Sequence, residues 1–255
     1  SIHDIIIDEF IQEGGYSAGG YCHFVGGVPK THVIKISTGE EAHEHIVDEL
    51  TFMDALREDA RSRNERVDFL FNHTGTFNFT GDDIDIERLY DLGWKDTTLF
   101  KEKYDPAQSS DFEFFASVSE FVSTDNDFFS EWWYVQDSLR QLLEALAVVH
   151  RSGYLLSDIK SWNYMYDKTA VGAPRLVFTD LGSARLFDGR IEGLDLITTW
   201  AFGAPETITR RDRGVRSPLT VIHGVDSWAA GRILVDYLFY PCYLWDQPRS
   251  KGATN

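Results

Sequence analysis

The sequence of 255 residues contains only two cysteines, Cys22 and Cys242, which are far apart. A disulfide framework is therefore excluded, and this favours either a reducing compartment or a protein that is indifferent to redox conditions. No run of 18 apolar residues is present, so we expect no membrane-spanning segment. The first residues lack the basic start and apolar core of a signal peptide. We expect a cytoplasmic protein, with a secreted effector as the alternative, and the missing initiator Met leaves a removed leader open.

Positive charge is also scarce, because 24 Lys and Arg residues face 41 Asp and Glu residues and the net charge is −17. Such an acidic chain is a poor candidate for binding nucleic acids or anionic membranes, so we expect a protein partner. In contrast, 43% of the residues are apolar, and they include 18 Phe and 7 Trp. This composition is typical of a folded protein, and the length fits one sizeable domain or two lobes.

The pattern of apolar residues predicts strands first and helices later. One helix is expected early, with Thr38 as its N-cap and Glu41 three residues on, and later helices are expected over 132–150 and 225–240. Residues 73–110 are rich in Asp and Glu and carry several glycines, so we interpret them as an insertion or a long surface loop. The order predicts an α+β protein with two unequal lobes. The predicted strands are 5–11, 21–25, 32–36, 67–71 and 112–122.

Several short motifs follow one another in the second half of the chain. They are Leu156-Ser157-Asp158-Ile159-Lys160-Ser161-Trp162-Asn163, Thr179-Asp180-Leu181-Gly182, Thr199, Gly203-Ala204-Pro205-Glu206 and Asp226-Ser227-Trp228. Upstream lies Val33-Ile34-Lys35. Each motif alone is weak, and Asp226 by itself predicts an N-cap of the helix that carries Trp228. Together, in this order from about residue 5 to residue 240, they resemble the eukaryotic-type protein kinase superfamily.

The resemblance implies a single two-lobed kinase domain over residues 1–255. The N-lobe and hinge would occupy 1–122, with the insertion near 73–110, and the C-lobe would occupy 123–255. It also implies that ATP lies in the cleft and that its γ-phosphoryl group passes to a serine or threonine hydroxyl of a protein. Lys160 and Thr199 match the serine/threonine branch of the family.

The resemblance further implies roles for individual residues. Asp158 would accept or orient the substrate hydroxyl, and Lys160 would steady the γ-phosphate. Asn163 and Asp180 would bind Mg²⁺ through hard oxygen ligands. Lys35 would bind the α- and β-phosphates while Glu49, with Glu44 as the rival, holds its ammonium group. The remaining nucleotide contacts would come from Gly14, Gly15, Gly19, Val33, Glu120, Val122, Met165 and Asp127, with Asp125 as the alternative to Asp127.

The chain also departs from the family pattern. Its glycine segment, Gly14 to Gly20, is not a clean G-x-G-x-x-G, and Ser157 stands where the family has an arginine. Because that arginine binds a phosphorylated activation loop, we expect activity without such phosphorylation. The sequence stops soon after the Trp228 helix, so we expect a minimal or incomplete C-lobe. The divergent glycine segment, the long insertion and the catalytic loop without arginine also resemble the secreted rhoptry kinases of intracellular parasites.

Two other functions stay open at this point. The atypical glycine segment and the lost arginine favour an inactive pseudokinase that acts as a binding or allosteric scaffold. A small-molecule kinase of the aminoglycoside-phosphotransferase type would share the fold, but Lys160, the Ala-Pro-Glu element and Asp226-x-Trp228 argue against it. The sequence says nothing of oligomeric state.

Overall fold

The computed structural model describes residues 1–13, 17–100, 112–122, 132–161, 163–167, 174–187, 191–192, 198–207, 218–219 and 223–244. The chain divides into two compact units. The N-terminal unit comprises Ser1–Thr51 and Phe71–Val122, and the C-terminal unit comprises Phe52–Leu70 and Ser123–Asn255. The break after Val122 lies where the sequence places the end of the N-lobe, and the assignment of the whole chain to a single domain stays a prediction.

The N-terminal unit is built on a five-stranded antiparallel sheet with the order β1-β2-β3-β5-β4. The predicted strand over 67–71 is wrong, because in that stretch only Leu70 forms a bridge, to Phe178. Phe69, Leu70 and Phe71 are buried one after another, so their apolar run reflects burial rather than strand alternation. The other predicted strands are confirmed. The strands are β1 (Ile5–Glu13), β2 (Ala18–Phe24), β3 (His32–Thr38), β4 (His73–Thr80) and β5 (Glu113–Glu120).

The first helix, α1 (Glu40–Ser62), begins later than its predicted cap. Thr38 still belongs to β3, and its hydroxyl donates to the Glu113 carbonyl oxygen at 3.2 Å. Gly39 makes the turn with φ +86°, a conformation that glycine adopts without strain. Thr38 is therefore not the N-cap, because its hydroxyl serves the sheet.

Residues 81–100 contradict the expected surface loop. They form α2 (Ile86–Asp91) and two short 3-10 turns, and they follow directly on β4. Their large apolar residues alternate with acidic residues in the sequence. The average composition of the stretch is therefore polar, although single apolar side chains are buried. These side chains enter the apolar core of the sheet, and the buried ones are Leu89, Trp94, Leu99 and Phe100. Residues 101–110 lie outside the described residues.

The C-terminal unit contains the two long helices predicted from the second half, α3 (Trp132–Arg151) and α4 (His223–Leu244). Gly153 follows α3 with φ +78° and ends it, as glycine commonly does. No helix among the described residues is long and apolar enough to cross a membrane. The predicted α+β class is confirmed. The short strands pair as β6 (Tyr154–Leu155) with β9 (Arg185–Leu186), β7 (Tyr164–Asp167) with β8 (Arg175–Phe178), and β10 (Ile191–Glu192) with β11 (Pro218–Leu219).

Candidate active site

Lys35 and Glu49 form an ion pair within the N-terminal unit. Lys35 Nζ lies 2.9 Å from Glu49 Oε2 and 3.3 Å from Oε1. The Glu49 side chain is only 2% exposed, whereas that of Lys35 is 24% exposed. The Lys35 ammonium group also lies 5.8 Å from the centre of the Phe71 ring. A buried carboxylate is costly without a partner, so this pair holds the ammonium group at the sheet surface. Glu49, rather than Glu44, supplies this contact.

The strand register places other predicted nucleotide contacts beside Lys35. Gly19 on β2 lies opposite Lys35, and Val33 lies opposite Tyr21 on one side and Ser119 on the other. The Glu120 carboxylate accepts hydrogen bonds from the Asn72 backbone and side chain at 3.3 and 2.8 Å. Val122 is buried. Gly14, Gly15, Asp125 and Asp127 lie outside the described residues.

In the C-terminal unit, Asp158 and Thr199 are joined although 41 positions separate them. The Thr199 backbone N–H and hydroxyl both donate to Asp158 Oδ1, at 2.6 and 2.7 Å. Lys160 Nζ lies 2.6 Å from Asp158 Oδ2 and 3.1 Å from Thr199 Oγ1. The Asp158 carboxylate therefore has one oxygen anchored by Thr199 and the other next to an ammonium group.

A two-stranded hairpin brings Asn163 and Asp180 to the same end. Asn163 directly precedes β7, Asp180 follows β8 by two residues, and the Thr179 N–H donates to the Asn163 carbonyl oxygen at 3.0 Å. The Asn163 amide nitrogen donates to the Asp158 carbonyl oxygen at 3.0 Å and lies 3.4 Å from Asp158 Oδ2. Met165 lies on β7, half-buried, opposite Val177. Two candidate metal ligands thus share one end of a hairpin with Asp158 close by.

The hairpin is tied to α4 by a buried pair of tyrosines. Tyr164, the first residue of β7, and Tyr237 on α4 form a hydrogen bond between their hydroxyls. Burial raises the pKa of Tyr237 to about 12 and the pKa of Tyr164 well above its ordinary value. Both hydroxyls therefore stay neutral at physiological pH and serve as a structural link beside Asn163.

Asp226 has a larger role than the helix cap predicted for it. The helix already begins at His223, so Asp226 lies inside its first turn and is fully buried. Its carboxylate accepts the backbone N–H groups of Leu156 and Ser157 at 3.0 and 2.9 Å, and His150 Nε2 lies 2.8 Å from Oδ2. The N-cap prediction is therefore wrong. The Asp226 carboxylate binds these two amides, which lie 70 and 69 positions away in the chain, instead of capping its own helix.

Ser157 adopts a left-handed backbone conformation, with φ +60°, directly before Asp158. This conformation is unfavourable for a residue with a side chain, and Asp226 offsets the cost by binding its N–H. The Ser157 hydroxyl donates to the Ser183 carbonyl oxygen at 2.8 Å, which links this loop to the segment after Asp180. The residue that replaces the family's arginine therefore still has a positioning contact.

A groove in the described part of the C-terminal unit lies elsewhere. Its volume is about 1060 Å³, and it runs along α3 between Phe69, Gln141 and Pro174. Its lining contains none of the predicted site residues. The side-chain cluster around Asp158, rather than this groove, is the part of the unit equipped for proton and phosphate chemistry.

Comparison with known proteins bears on the family of the chain. A family model for the protein kinase domain matches residues 110–254, which is more than half of the chain. The chain belongs to the protein kinase family. This kinase domain is also similar to the serine/threonine-protein kinase Kist from mouse, rat and human, with 28% identity over 123 residues. The match covers 47% of this chain and only 28% of each relative, so it spans less than a third of those proteins.

Proposed function

We propose that this kinase domain transfers the γ-phosphoryl group of ATP to serine or threonine hydroxyls of a protein, with Mg²⁺ as the metal. The observation that carries the proposal is the placement of Asp158 against Lys160 and Thr199. The carboxylate is held by Thr199 at one oxygen, so its other oxygen can receive or orient a hydroxyl proton. The Lys160 ammonium group at 2.6 Å supplies positive charge beside that position.

The donor set near Asp158 fits a magnesium ion. Asn163 uses its amide nitrogen to bind Asp158, which leaves its amide oxygen as the ligand atom, and Asp180 adds a carboxylate. Magnesium binds to proteins through few oxygen ligands and completes its shell with phosphates and water. Among the described residues no cluster of three or more His, Cys, Asp or Glu side chains could hold a metal by itself, which suits such a shared site. When bound, the metal neutralises phosphate charge.

The Lys35–Glu49 pair supports the nucleotide part of the proposal. Glu49 is buried and binds the ammonium group with both oxygens, so the cation is fixed before any nucleotide arrives. A fixed cation needs no reorganisation when it meets phosphate charge. The serine/threonine preference rests on Lys160 and Thr199, and on the similarity to relatives that are serine/threonine-protein kinases.

The deciding experiment compares the purified wild type with Asp180→Asn, using radiolabelled ATP, Mg²⁺ and a degenerate library of serine- and threonine-containing peptides. We expect labelling by the wild type, loss of labelling in Asp180→Asn, and loss in the wild type when EDTA removes the metal. Asp68→Asn is the matched control, because Asp68 is half-exposed and bound to Arg66 at the surface. It should label as the wild type does.

Three outcomes would reject this proposal. Equal labelling by the wild type and Asp180→Asn would mean that the signal does not come from this site. Nucleotide binding by the wild type without any peptide labelling would favour the pseudokinase scaffold, and labelling of small metabolites alone would favour the aminoglycoside-kinase type.

A further inference from the structure

The sheet of the N-terminal unit has two faces with different neighbours. Side chains alternate between faces along a strand, so Lys35 points to one face and Ile34 to the other. Lys35 binds Glu49 of α1, whereas Ile34 lies in an apolar cluster that includes Trp94. On β2, Gly19 lies opposite Lys35 and Gly20 lies opposite Ile34. Adjacent residues of the glycine segment thus face the ion pair and the apolar cluster.

Trp94 packs directly against Gly20. A Cβ atom at Gly20 would lie 2.6 Å from Trp94 Cζ2, closer than van der Waals contact allows. The Trp94 ring also meets the Phe10 ring edge to face, with centroids 5.4 Å apart. Trp94 itself is fully buried. Only a glycine at position 20 lets the indole approach the backbone of β2 this closely, so the two residues form one packing unit.

Residues 81–100, which we name the clamp segment, also bind the strand before the glycine segment. The Thr98 N–H donates to Glu13 Oε1 at 2.6 Å, and Glu13 is the last residue of β1. Arg88 donates to the Ile7 carbonyl oxygen at 3.4 Å. Polar contacts therefore reach both halves of β1, in addition to the ring contact with Phe10.

The strand that receives these contacts is intrinsically weak. Among the described strands, β1 lies at the sheet edge and pairs only with β2. Its register has irregularities between Ile7 and Glu9 and between Phe10 and Gln12. The following segment contains Gly14, Gly15, Gly19 and Gly20, and glycine loses the most backbone freedom on ordering. Without support, nucleotide binding would have to order this region itself, which lowers affinity.

We propose that the clamp segment orders β1 and β2 for ATP and that Trp94 is its positioning residue. This inference rests on the function proposed above. Trp94 touches no reacting atom in this account. It acts through Gly20, whose neighbour Gly19 lies opposite the phosphate-binding Lys35. Loss of the indole should therefore weaken nucleotide binding and leave the chemical step nearly unchanged.

The test measures steady-state kinetics with varied ATP for Trp94→Ala and Phe79→Ala. Phe79 is the matched control, because it is buried in the same apolar cluster but stacks on Phe114, with β4 at the opposite edge of the sheet. We expect Trp94→Ala to raise the KM for ATP about ten-fold and to change kcat less than about two-fold. Phe79→Ala should leave the KM within about two-fold of the wild type, and Trp94→Phe should restore most of the affinity.

Hydrogen exchange gives the independent structural readout. Amides of residues 5–13 and 18–24 should exchange faster in Trp94→Ala than in Phe79→Ala. If Trp94→Ala does not fold, Glu13→Ala replaces it, with Glu9→Ala as the control on the same strand, because the Glu9 side chain pairs with Lys30 at the surface. Glu13→Ala should raise the KM about three-fold, and Glu9→Ala should not.

The outcomes separate this inference from the proposed function. Phosphoryl transfer with an unchanged KM in Trp94→Ala, or an equal rise in KM in Phe79→Ala, would overturn the clamp and leave the kinase activity standing. A wild type that binds no ATP would overturn both. A rise in KM together with faster exchange in β1 and β2 supports the clamp.

Discussion

Asp158 in the C-terminal unit and Lys35 in the N-terminal unit are held in different ways. Asp158 is bound by Thr199, Lys160 and Asn163, and its loop is tied down by Asp226. Lys35 forms an ion pair with the buried carboxylate of Glu49. The family model begins at residue 110, so it covers the C-terminal region and omits most of the N-terminal unit. A hydrogen-bonded loop constrains many residue identities, whereas a sheet constrains mainly the alternation of its faces.

The largest expected effect separates the chemical step from nucleotide binding. On the proposed function, Asp158→Asn would remove the charge that receives the hydroxyl proton and should lower kcat about 10³-fold, with the KM for ATP nearly unchanged. On the same proposal, Lys35→Met would remove the cation that binds phosphate and should raise that KM as well as lower kcat. Initial rates with varied ATP measure both. Identical changes in kcat and KM for the two variants would contradict the proposal that Asp158 serves the chemical step and Lys35 serves nucleotide binding.

Asp226 tests how strongly the Asp158 loop depends on one buried carboxylate. Asp226→Ala leaves the amides of Leu156 and Ser157 without their acceptor and should lower the free energy of unfolding by about 3 kcal/mol. Asp236→Ala on the same helix removes only a partly exposed pair with Arg232 and should cost less than about 0.5 kcal/mol. Urea unfolding measures the free energy of unfolding of both variants. Equal losses would show that the buried Asp226 carboxylate stabilises the fold no more than the partly exposed pair does.

The sequence predicted the C-terminal cluster better than it predicted the packing of the N-terminal unit. The motif around Asp158 and Asn163 is local, so its residue types and their spacing are enough to predict which residues form the candidate site. Asp226 was misjudged because its partners are distant in the chain, and a local pattern indicates only a helix cap. Trp94 was missed because it lies among acidic residues, and an average over 73–110 hides single large side chains. The signal that could have identified Trp94 is the presence of a large aromatic residue inside a polar stretch.

Alanine substitutions at two neighbouring glycines test whether the two faces of the N-terminal sheet differ in how closely they are packed. Gly20→Ala would place a Cβ 2.6 Å from the Trp94 ring and 2.7 Å from the Glu9 carbonyl oxygen, so it should cost about 2 kcal/mol of unfolding free energy. In the described part of the chain, a Cβ at Gly19 would meet no atom closer than 3.7 Å, so Gly19→Ala should change that free energy by less than about 0.5 kcal/mol. Thermal and urea unfolding provide the measurement. Equal costs would contradict the packing of Trp94 on β2.

The smallest predicted effect concerns how α3 supports the hairpin that carries Asn163 and Asp180. Asp137 on α3 accepts hydrogen bonds from Tyr166 on β7 and from Gln141, and Gln141 in turn accepts the Leu176 N–H of β8 at 2.8 Å. Burial opposes ionisation of Asp137, but hydrogen bonds from Tyr166, Arg140 and Gln141 outweigh it, so the pKa of Asp137 is lowered.

A carboxylate with a lowered pKa stabilises the fold above its ordinary pKa, and this contribution is lost as the pH falls through the folded-state pKa. Asp137→Asn should therefore cost about 1 kcal/mol at pH 7, and the difference from the wild type should shrink as the pH is lowered towards about pH 3. Unfolding free energies measured across this range test the sign. Asp68→Asn, which alters a surface pair with Arg66, is the control and should show little difference at any pH. A gap between Asp137→Asn and the wild type that widens in acid would mean that the carboxylate does not support the hairpin as an anion.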